Sequence, residues 1–479
     1  MAFLVSFNIT PFSASDANLV GSLNTKQQRI AFLMPEFPGH THSWLWREIC
    51  GLREAGLEVK LASTRVPSPQ DYARHAFVAE VKGQIFYVWP PAVADVLTAL
   101  IILPFRYPLR MLHCGRYAYR IQRDGGANML RTLALLLPAW RFGRWCRAQG
   151  IRHVHVATPA NSLLIAQLAG ILFDLTTDVT INAKLEWWGG AMHEKLSRCA
   201  RIFVVADWML RQIQREFAPA IAARTRVARH GVDPHLWNPG ERGTEWEIEK
   251  AGEGRGDPDI KQGGSMGDQA GVDKIKRGGN EIECCGDENQ GKKGESPLRV
   301  VTVGRLHPSK GHQDLLHATA MLVARGCSLR VEIAGGGPYA AELEALITSL
   351  GLTGIAKLLG PLSEEAVRDL LRTGDLFVVA SHAEALGVVY MEAMALGLPV
   401  VGTTTDGALE VVEQGGSGLL VPPGDVAALA AAIEELAGDT ERRRAFGRRG
   451  RQRAETLFDS RIGAGIVSRE IAAILSTET

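Results

Sequence analysis

The sequence predicts an α/β protein built as two Rossmann-like, doubly wound domains facing each other across a cleft. Three observations lead there. With 479 residues, the chain is longer than a single core comfortably holds. In both halves, short apolar runs alternate with stretches whose apolar residues recur at helical spacing, the order of strand–helix–strand units and so of parallel sheets. Between the halves, residues 239–297 lose this pattern altogether.

Taken in order, MAFLVSFNITPF lacks a basic region and a long apolar core, so residues 1–28 are read as a loose extension and not as a signal peptide. The first domain is expected over 29–238. IAFLMPEF reads as a buried strand, WLWREICGLREAG as a helix stopped by glycine, and LEVKLAST as a second strand. HVHVAT, DVTINA and RIFVVA supply further short strands, each followed by a helix-like stretch. Of the 59 residues in 239–297, fourteen are glycine and 23 are charged, too little apolar surface to offset the entropy of ordering. A disordered insertion in the linker is expected there. The second domain, 298–455, repeats the theme: LRVVTVGRL, SLRVEIAGGGP, KLLG, LFVVAS and PVVGTT are strands, separated by helices such as HQDLLHATAMLVARG and SEEAVRDLLRTG. Residues 456–479 form a last helix expected to pack back on the first domain.

Composition narrows the function. A net charge of +1 gives no global argument for nucleic acid. The seven cysteines are scattered and form no CxxC pair, so neither a zinc site nor a disulfide framework is indicated, and a reducing cytoplasm fits. The apolar run VADVLTALIILP (93–104) is too short to span a bilayer, and no transmembrane helix is expected.

The chemistry concentrates in EALGVVYMEAMALGLPVV (384–401), an apolar run carrying two carboxylates, Glu384 and Glu392. Glutamate is rarely buried without a partner. LFVVAS ends at Ser381, and a helix begins near Gly387, presenting free N–H groups and a positive dipole end, a ready anion site. Glu392 lies five helical steps, about 7.5 Å, inside that helix, and its side chain tilts back toward the same end. Two acceptors flanking an anion site suit a ligand with hydroxyls on both sides of a diphosphate, as in a nucleotide sugar. In the loop GRLHPSKG, after the first strand of the same domain, Arg305 and Lys310 supply cations suited to a leaving diphosphate.

With these motifs, VGRLHPSKG, AGGGP, EALGVVYMEAMALGLPVV and GALEVVEQGGSGLLVPPGD, the chain resembles family 4 retaining glycosyltransferases of the GT-B fold. HGVDPHLWNP (230–239) resembles the closing motif of the family's first domain, and FP…REI…L…G (37–56) is similar to glycosyltransferases of exopolysaccharide and colanic-acid-type assembly. The resemblance implies that Glu384 holds donor-sugar hydroxyls and Glu392 the ribose. It implies that Arg305 and Lys310 hold the diphosphate, with Gly304 and the loop Ala385, Leu386, Gly387 and Val388 lining the donor. It implies a catalytic group of Arg305, Lys310, Glu384 and Asn182, and an acceptor side that includes Gly39, His155 and Glu186. Three positions depart from the pattern. Asn182, in Thr180-Ile-Asn182-Ala183-Lys184, stands where the family often has a histidine; asparagine hydrogen-bonds but does not titrate. Glu186 and His193 are candidates to compensate. Ala385 and Asp406 stand where glycine is usual.

Some residues leave two readings open. His153 and His155 alternate with apolar residues on one strand and are either satisfied core histidines or cleft residues. Trp187 and Trp188 either pack or stack on a sugar. Residues 93–152 carry ten arginines and two acids, interleaved with Leu, Phe, Tyr and Trp. That composition suits anionic lipid headgroups, with Arg106, Arg110, Arg116 and Arg120 as contacts, against the plain alternative of a solvated face.

The resulting expectation is a retaining, metal-independent hexosyltransferase that uses no cofactor beyond its nucleotide-sugar substrate and is peripheral on the inner face of the membrane. Its acceptor would be a lipid-linked saccharide in cell-envelope polysaccharide or glycolipid synthesis. The alternatives are a non-catalytic nucleotide-sugar-binding protein and a sugar-nucleotide epimerase of the same architecture.

Overall fold

The computed structural model describes residues 28–39, 43–67, 77–240 and 296–477. The expected N-terminal extension and most of the glycine- and charge-rich insertion lie outside these residues.

Two all-parallel sheets form the frame. The first contains β1 (Arg29–Glu36), β2 (Glu58–Arg65), β3 (Ile85–Tyr87), β4 (His153–Val156), β5 (Thr176–Ile181), β6 (Ile202–Val204) and β7 (Thr225–Val227). Their spatial order is β3-β2-β1-β4-β5-β6-β7. The second contains β8 (Leu298–Val303), β9 (Leu329–Ala334), β10 (Ala356–Gly360), β11 (Leu376–Val378), β12 (Val400–Thr403) and β13 (Gly418–Val421), in the order β10-β9-β8-β11-β12-β13. In each sheet the order reverses once, between β1 and β4 and between β8 and β11. Loops leaving the carboxyl ends of those strand pairs diverge there and open a crevice, the usual ligand position in such sheets.

Local sequence explains most of the elements. β1 runs Ile30-Ala-Phe-Leu-Met34 with every side chain buried, as an interior parallel strand covered on both faces requires. The helix Ser43–Glu54 buries Leu45, Ile49 and Leu52 on one stripe, and Glu48 with them. The helix Glu364–Thr373 is capped by Ser363, whose hydroxyl accepts from the Ala366 N–H. The short strands β3, β7 and β13 are not among those expected from the sequence.

The two domains touch along the cleft. The last helix, Ser460–Thr477, lies against Ser43–Glu54 of the first domain, and its Glu470 pairs with both Arg201 and Arg226. Arg451, on the preceding helix Thr440–Leu457, donates to the carbonyls of Pro234, Trp237 and Ala395 and so ties the crossover to the second domain. Among the described residues no helix is long and apolar enough to cross a membrane.

Candidate active site

The second domain brings its motif residues together at the β8/β11 crevice. Lys310 Nζ lies 2.6 Å from Glu384 Oε2, and the Ser381 hydroxyl donates to the same oxygen at 3.3 Å. The His382 N–H donates to the Ser309 carbonyl at 2.8 Å, locking the loop after β11 to the loop after β8. Arg305 is exposed beside them, with no ion pair among the described residues. His312 is buried behind Arg305, its Nε2 3.2 Å from the Arg305 carbonyl; burial first, then the Lys310 charge, push its pKa down to about 4. It is therefore neutral under ordinary conditions and adds no charge to the site.

Gly387 begins the helix Val388–Ala395 with φ +79, a conformation L side chains rarely adopt. The N–H groups of Leu386, Gly387 and Val388 have no acceptor among the described residues, as an anion site at a helix start requires. Gly407 passes so close that a Cβ there would sit 2.5 Å from the Leu386 nitrogen, and its own N–H donates to the Glu384 carbonyl at 2.9 Å. The glycine retained after Asp406 thus braces the loop between β11 and the helix Val388–Ala395.

Glu392 is nearly enclosed, and the first domain supplies its partner. Arg47 Nη2 donates to Glu392 Oε1 at 2.7 Å and to Glu364 Oε1 at 3.2 Å, with the guanidinium over the Trp237 ring at 5.3 Å. Burial pushes the Glu392 carboxyl up, and Arg47 opposes that shift. Farther along, Glu410 accepts from the Asp207 N–H at 2.8 Å and pairs with Arg229 at 3.1 Å, and the Trp208 indole donates to the Ala385 carbonyl at 2.9 Å. Asp406 meets Lys184 of the first domain at 3.4 Å. Sequence reasoning did not assign Arg47, Glu410, Trp208 or Lys184. Arg47 lies inside the quoted REI stretch and Glu410 inside GALEVVEQ, each beside apolar residues that its helix buries.

On the first domain the candidates part company. Asn182 follows β5 at its carboxyl end, and its Oδ1 has no hydrogen-bond partner. Glu186 is exposed and accepts from Gln212 at 3.2 Å, and His193 is exposed as well. Gly39 is buried just past β1. Trp187 is exposed, while Trp188 is partly buried with its indole N–H unpaired.

His155 does not face the cleft, contrary to its expected place on the acceptor side. It is completely enclosed, with Nδ1 2.7 Å from Asp178 and Nε2 3.3 Å from Glu48. The reason is that β4 is an interior strand covered on both faces, so His153 and His155 both meet core, and Asp178 on β5 bridges them. Arg110 also departs from its expected role at a lipid surface. It donates to the Leu172 carbonyl and pairs with Asp174 at 2.6 Å, because the open carbonyl end of the helix Asn161–Phe173 attracts a cation. Arg106, Arg116 and Arg120 are exposed.

Residues 287–453 match the family described as "Glycosyl transferases group 1". The fold is GT-B, and its second domain is similar to that family over the matched residues. A putative colanic acid biosynthesis glycosyltransferase, WcaL, of Salmonella typhimurium is 33% identical over 188 residues, 38% of this chain and 45% of that protein. Alpha-D-kanosaminyltransferase of Streptomyces kanamyceticus is 35% identical over 144 residues, 30% of this chain and 37% of that protein. The matched stretch thus spans less than half the length of either curated relative. Among solved structures, sucrose-phosphate synthase of Thermosynechococcus elongatus superposes with a TM-score of 0.63 at 17% identity, covering 94% of this chain and 100% of that one. HepE of Anabaena, in complex with UDP, gives 0.61 at 18% over 94% and 100%.

Proposed function

We propose that this chain is a retaining glycosyltransferase that moves a hexose from a nucleotide sugar to an acceptor hydroxyl. The observation that carries the reading is the convergence, at one switch point, of a paired Lys310 and Glu384, an exposed Arg305 and a helix start with free N–H groups. Glu384 takes the sugar hydroxyls and Glu392 the ribose. As the glycosidic C–O bond breaks, negative charge grows on the diphosphate oxygen, where Arg305, Lys310 and the N–H groups of Leu386, Gly387 and Val388 receive it. The acceptor hydroxyl attacks from the same face and gives its proton to the departing phosphate oxygen. No metal is assigned to this step, since two side-chain cations and backbone donors already face the developing charge. Asn182, with its unpartnered carbonyl oxygen, lies on the first-domain side as a hydrogen-bonding group toward the reacting sugar.

The acceptor is a lipid-linked saccharide of cell-envelope polysaccharide or glycolipid synthesis, reached at the cytoplasmic face of the membrane. Support comes from the helix Val93–Arg106, which turns an apolar stripe outward. Val93, Leu97, Leu100, Ile101 and Phe105 are exposed, Phe105 to 86%, and Leu109 and Leu112 continue the patch. Exposed Arg106, Arg116 and Arg120 lie on and beside it, the combination that binds anionic headgroups with shallow apolar insertion.

Purified protein incubated with UDP-, GDP- and ADP-sugars, with and without membrane extract, tests the assignment. Acceptor-dependent release of nucleoside diphosphate, undiminished by a chelator, is the expected result. Binding without release would make the chain a non-catalytic nucleotide-sugar-binding protein, and conversion of donor without acceptor would make it an epimerase.

A further inference from the structure

Arg47 belongs to the first domain, and no donor-site motif of the second domain calls for it. Its Nη2 nevertheless reaches both Glu392 Oε1, at 2.7 Å, and Glu364 Oε1, at 3.2 Å. The side chains of Arg47 and Glu392 are only 9% and 10% exposed, so the pair is all but enclosed. The arginine is itself held in place by the Trp237 ring beneath it. Arg47 uses one oxygen of Glu392, and no hydrogen bond among the described residues reaches the other. The contact is made by one guanidinium nitrogen, Nη2, to one carboxylate oxygen, which anchors that oxygen and leaves the other to accept.

We propose that Arg47 is a positioning residue for the donor nucleotide: from the opposite domain it orients the Glu392 carboxylate so that its remaining oxygen receives the ribose hydroxyls. This rests on the reading of Glu392 as the ribose acceptor. It follows that the ribose site is complete only with the two domains together, so nucleotide binding favours the closed cleft by as much as the closed cleft favours nucleotide.

The charged groups facing Glu392 are Arg47 and Glu364. On neighbouring elements, Arg451 is turned to backbone carbonyls, Lys310 is paired with Glu384, and Glu410 is paired with Arg229. With Arg47 removed, Glu392 is a buried carboxyl beside another carboxyl, and both burial and Glu364 drive it toward protonation. A protonated Glu392 accepts the ribose hydroxyls poorly.

The test measures binding of UDP, GDP and ADP by calorimetry, with 2′-deoxy and 3′-deoxy forms of whichever binds best. Glu392→Gln should weaken the ribonucleotide about tenfold or more, the loss of a hydrogen bond to a charged group. Arg47→Met should weaken it comparably, and its affinity should fall more steeply than the wild type's as pH is lowered, because burial and Glu364 then raise the Glu392 carboxyl unopposed. That pH dependence should vanish in Arg47→Met/Glu392→Gln, and the deoxy nucleotides should lose little more in either single variant. If Glu392→Gln binds as the wild type does, the ribose reading itself fails. If Glu392→Gln is weak while Arg47→Met binds normally with the wild type's pH profile, Arg47 only braces the domains and the proposal is overturned. Should Arg47→Met not fold, Arg47→Lys decides: intermediate affinity with the new pH dependence supports the role, and wild-type behaviour overturns it.

Discussion

Lys310 and Glu384 lie 2.6 Å apart at the edge of the crevice, one cation and one anion each less than a quarter exposed. In the proposed reaction Lys310 leaves this partner to share the diphosphate charge, so its contribution is largest when that charge is greatest. Lys310→Ala should therefore lower turnover by the equivalent of about 2.7–4 kcal/mol at saturating donor. Turnover within a few-fold of wild type would remove Lys310 from that role. His155 makes a different kind of contribution. Burial alone would lower its pKa, yet Asp178 and Glu48 more than offset this and raise it from 6.5 to about 10. The same cluster holds Asp178 down at about 2 against its burial. The stabilisation from His155 is full below pH 6.5 and is lost as pH rises through about 10. That from Asp178 is full above pH 3.8 and is lost as pH falls through about 2. Urea melts should show stability declining from near neutral pH toward alkaline pH. His155→Leu should flatten that decline while costing about 3–5 kcal/mol, since Asp178 and Glu48 lose a buried partner.

Among the elements, the helix Val93–Arg106 is distinctive because its apolar face looks outward. Leu97, Ile101 and Phe105 follow one another at four-residue steps along it, and each is more than half exposed. Charge and apolar area act together on a lipid surface, each basic residue near it contributing on the order of 1 kcal/mol, screened by salt. Binding to anionic vesicles should be substantial at low salt, weaken as salt rises, and be poor for neutral vesicles. Replacing Arg106, Arg116 and Arg120 with Gln should release the protein while nucleotide binding persists in the other domain. Arg110 is left in place because it holds the end of the helix Asn161–Phe173. Equal sedimentation of variant and wild type would leave the stripe without a lipid role and point to a soluble acceptor.

At the scale of the whole molecule, the two domains are joined by polar contacts around the loop after β11 and the helices Val388–Ala395 and Asp406–Val411. Glu410 takes the Asp207 N–H and Arg229, Trp208 holds the Ala385 carbonyl, and Arg47 holds Glu392. Glu410→Ala removes the acceptor at the start of the helix Asp207–Glu216 and leaves Arg229 paired only with Asp207 of its own domain among the described residues. The cleft should then open, read as a larger radius of gyration in small-angle scattering, and nucleotide should reverse the change in part. An unchanged radius would assign the joining of the domains to Arg451 and Arg47 instead.

By itself the sequence determined the parallel α/β architecture, the break between two halves, and the placement of Arg305, Lys310, Glu384 and Gly387 after β8 and β11, with Glu392 in the helix that follows. These were legible because they are local: strands and helices follow from apolar spacing, and those residues sit within a few positions of the strand ends and helix start that aim them. Tertiary structure alone decided what crosses between segments far apart in the chain. It put Arg47 on Glu392, 345 positions away, and Glu410 on Asp207. It enclosed His155 between Glu48 and Asp178, where alternation along β4 left core and cleft equally open. It turned Arg110 inward to a helix end and left its basic neighbours outside. The spacing of residues along the chain sets which face of an element a side chain occupies. What that face meets depends on how the elements pack, and an ion pair closed across two domains has no local pattern to announce it.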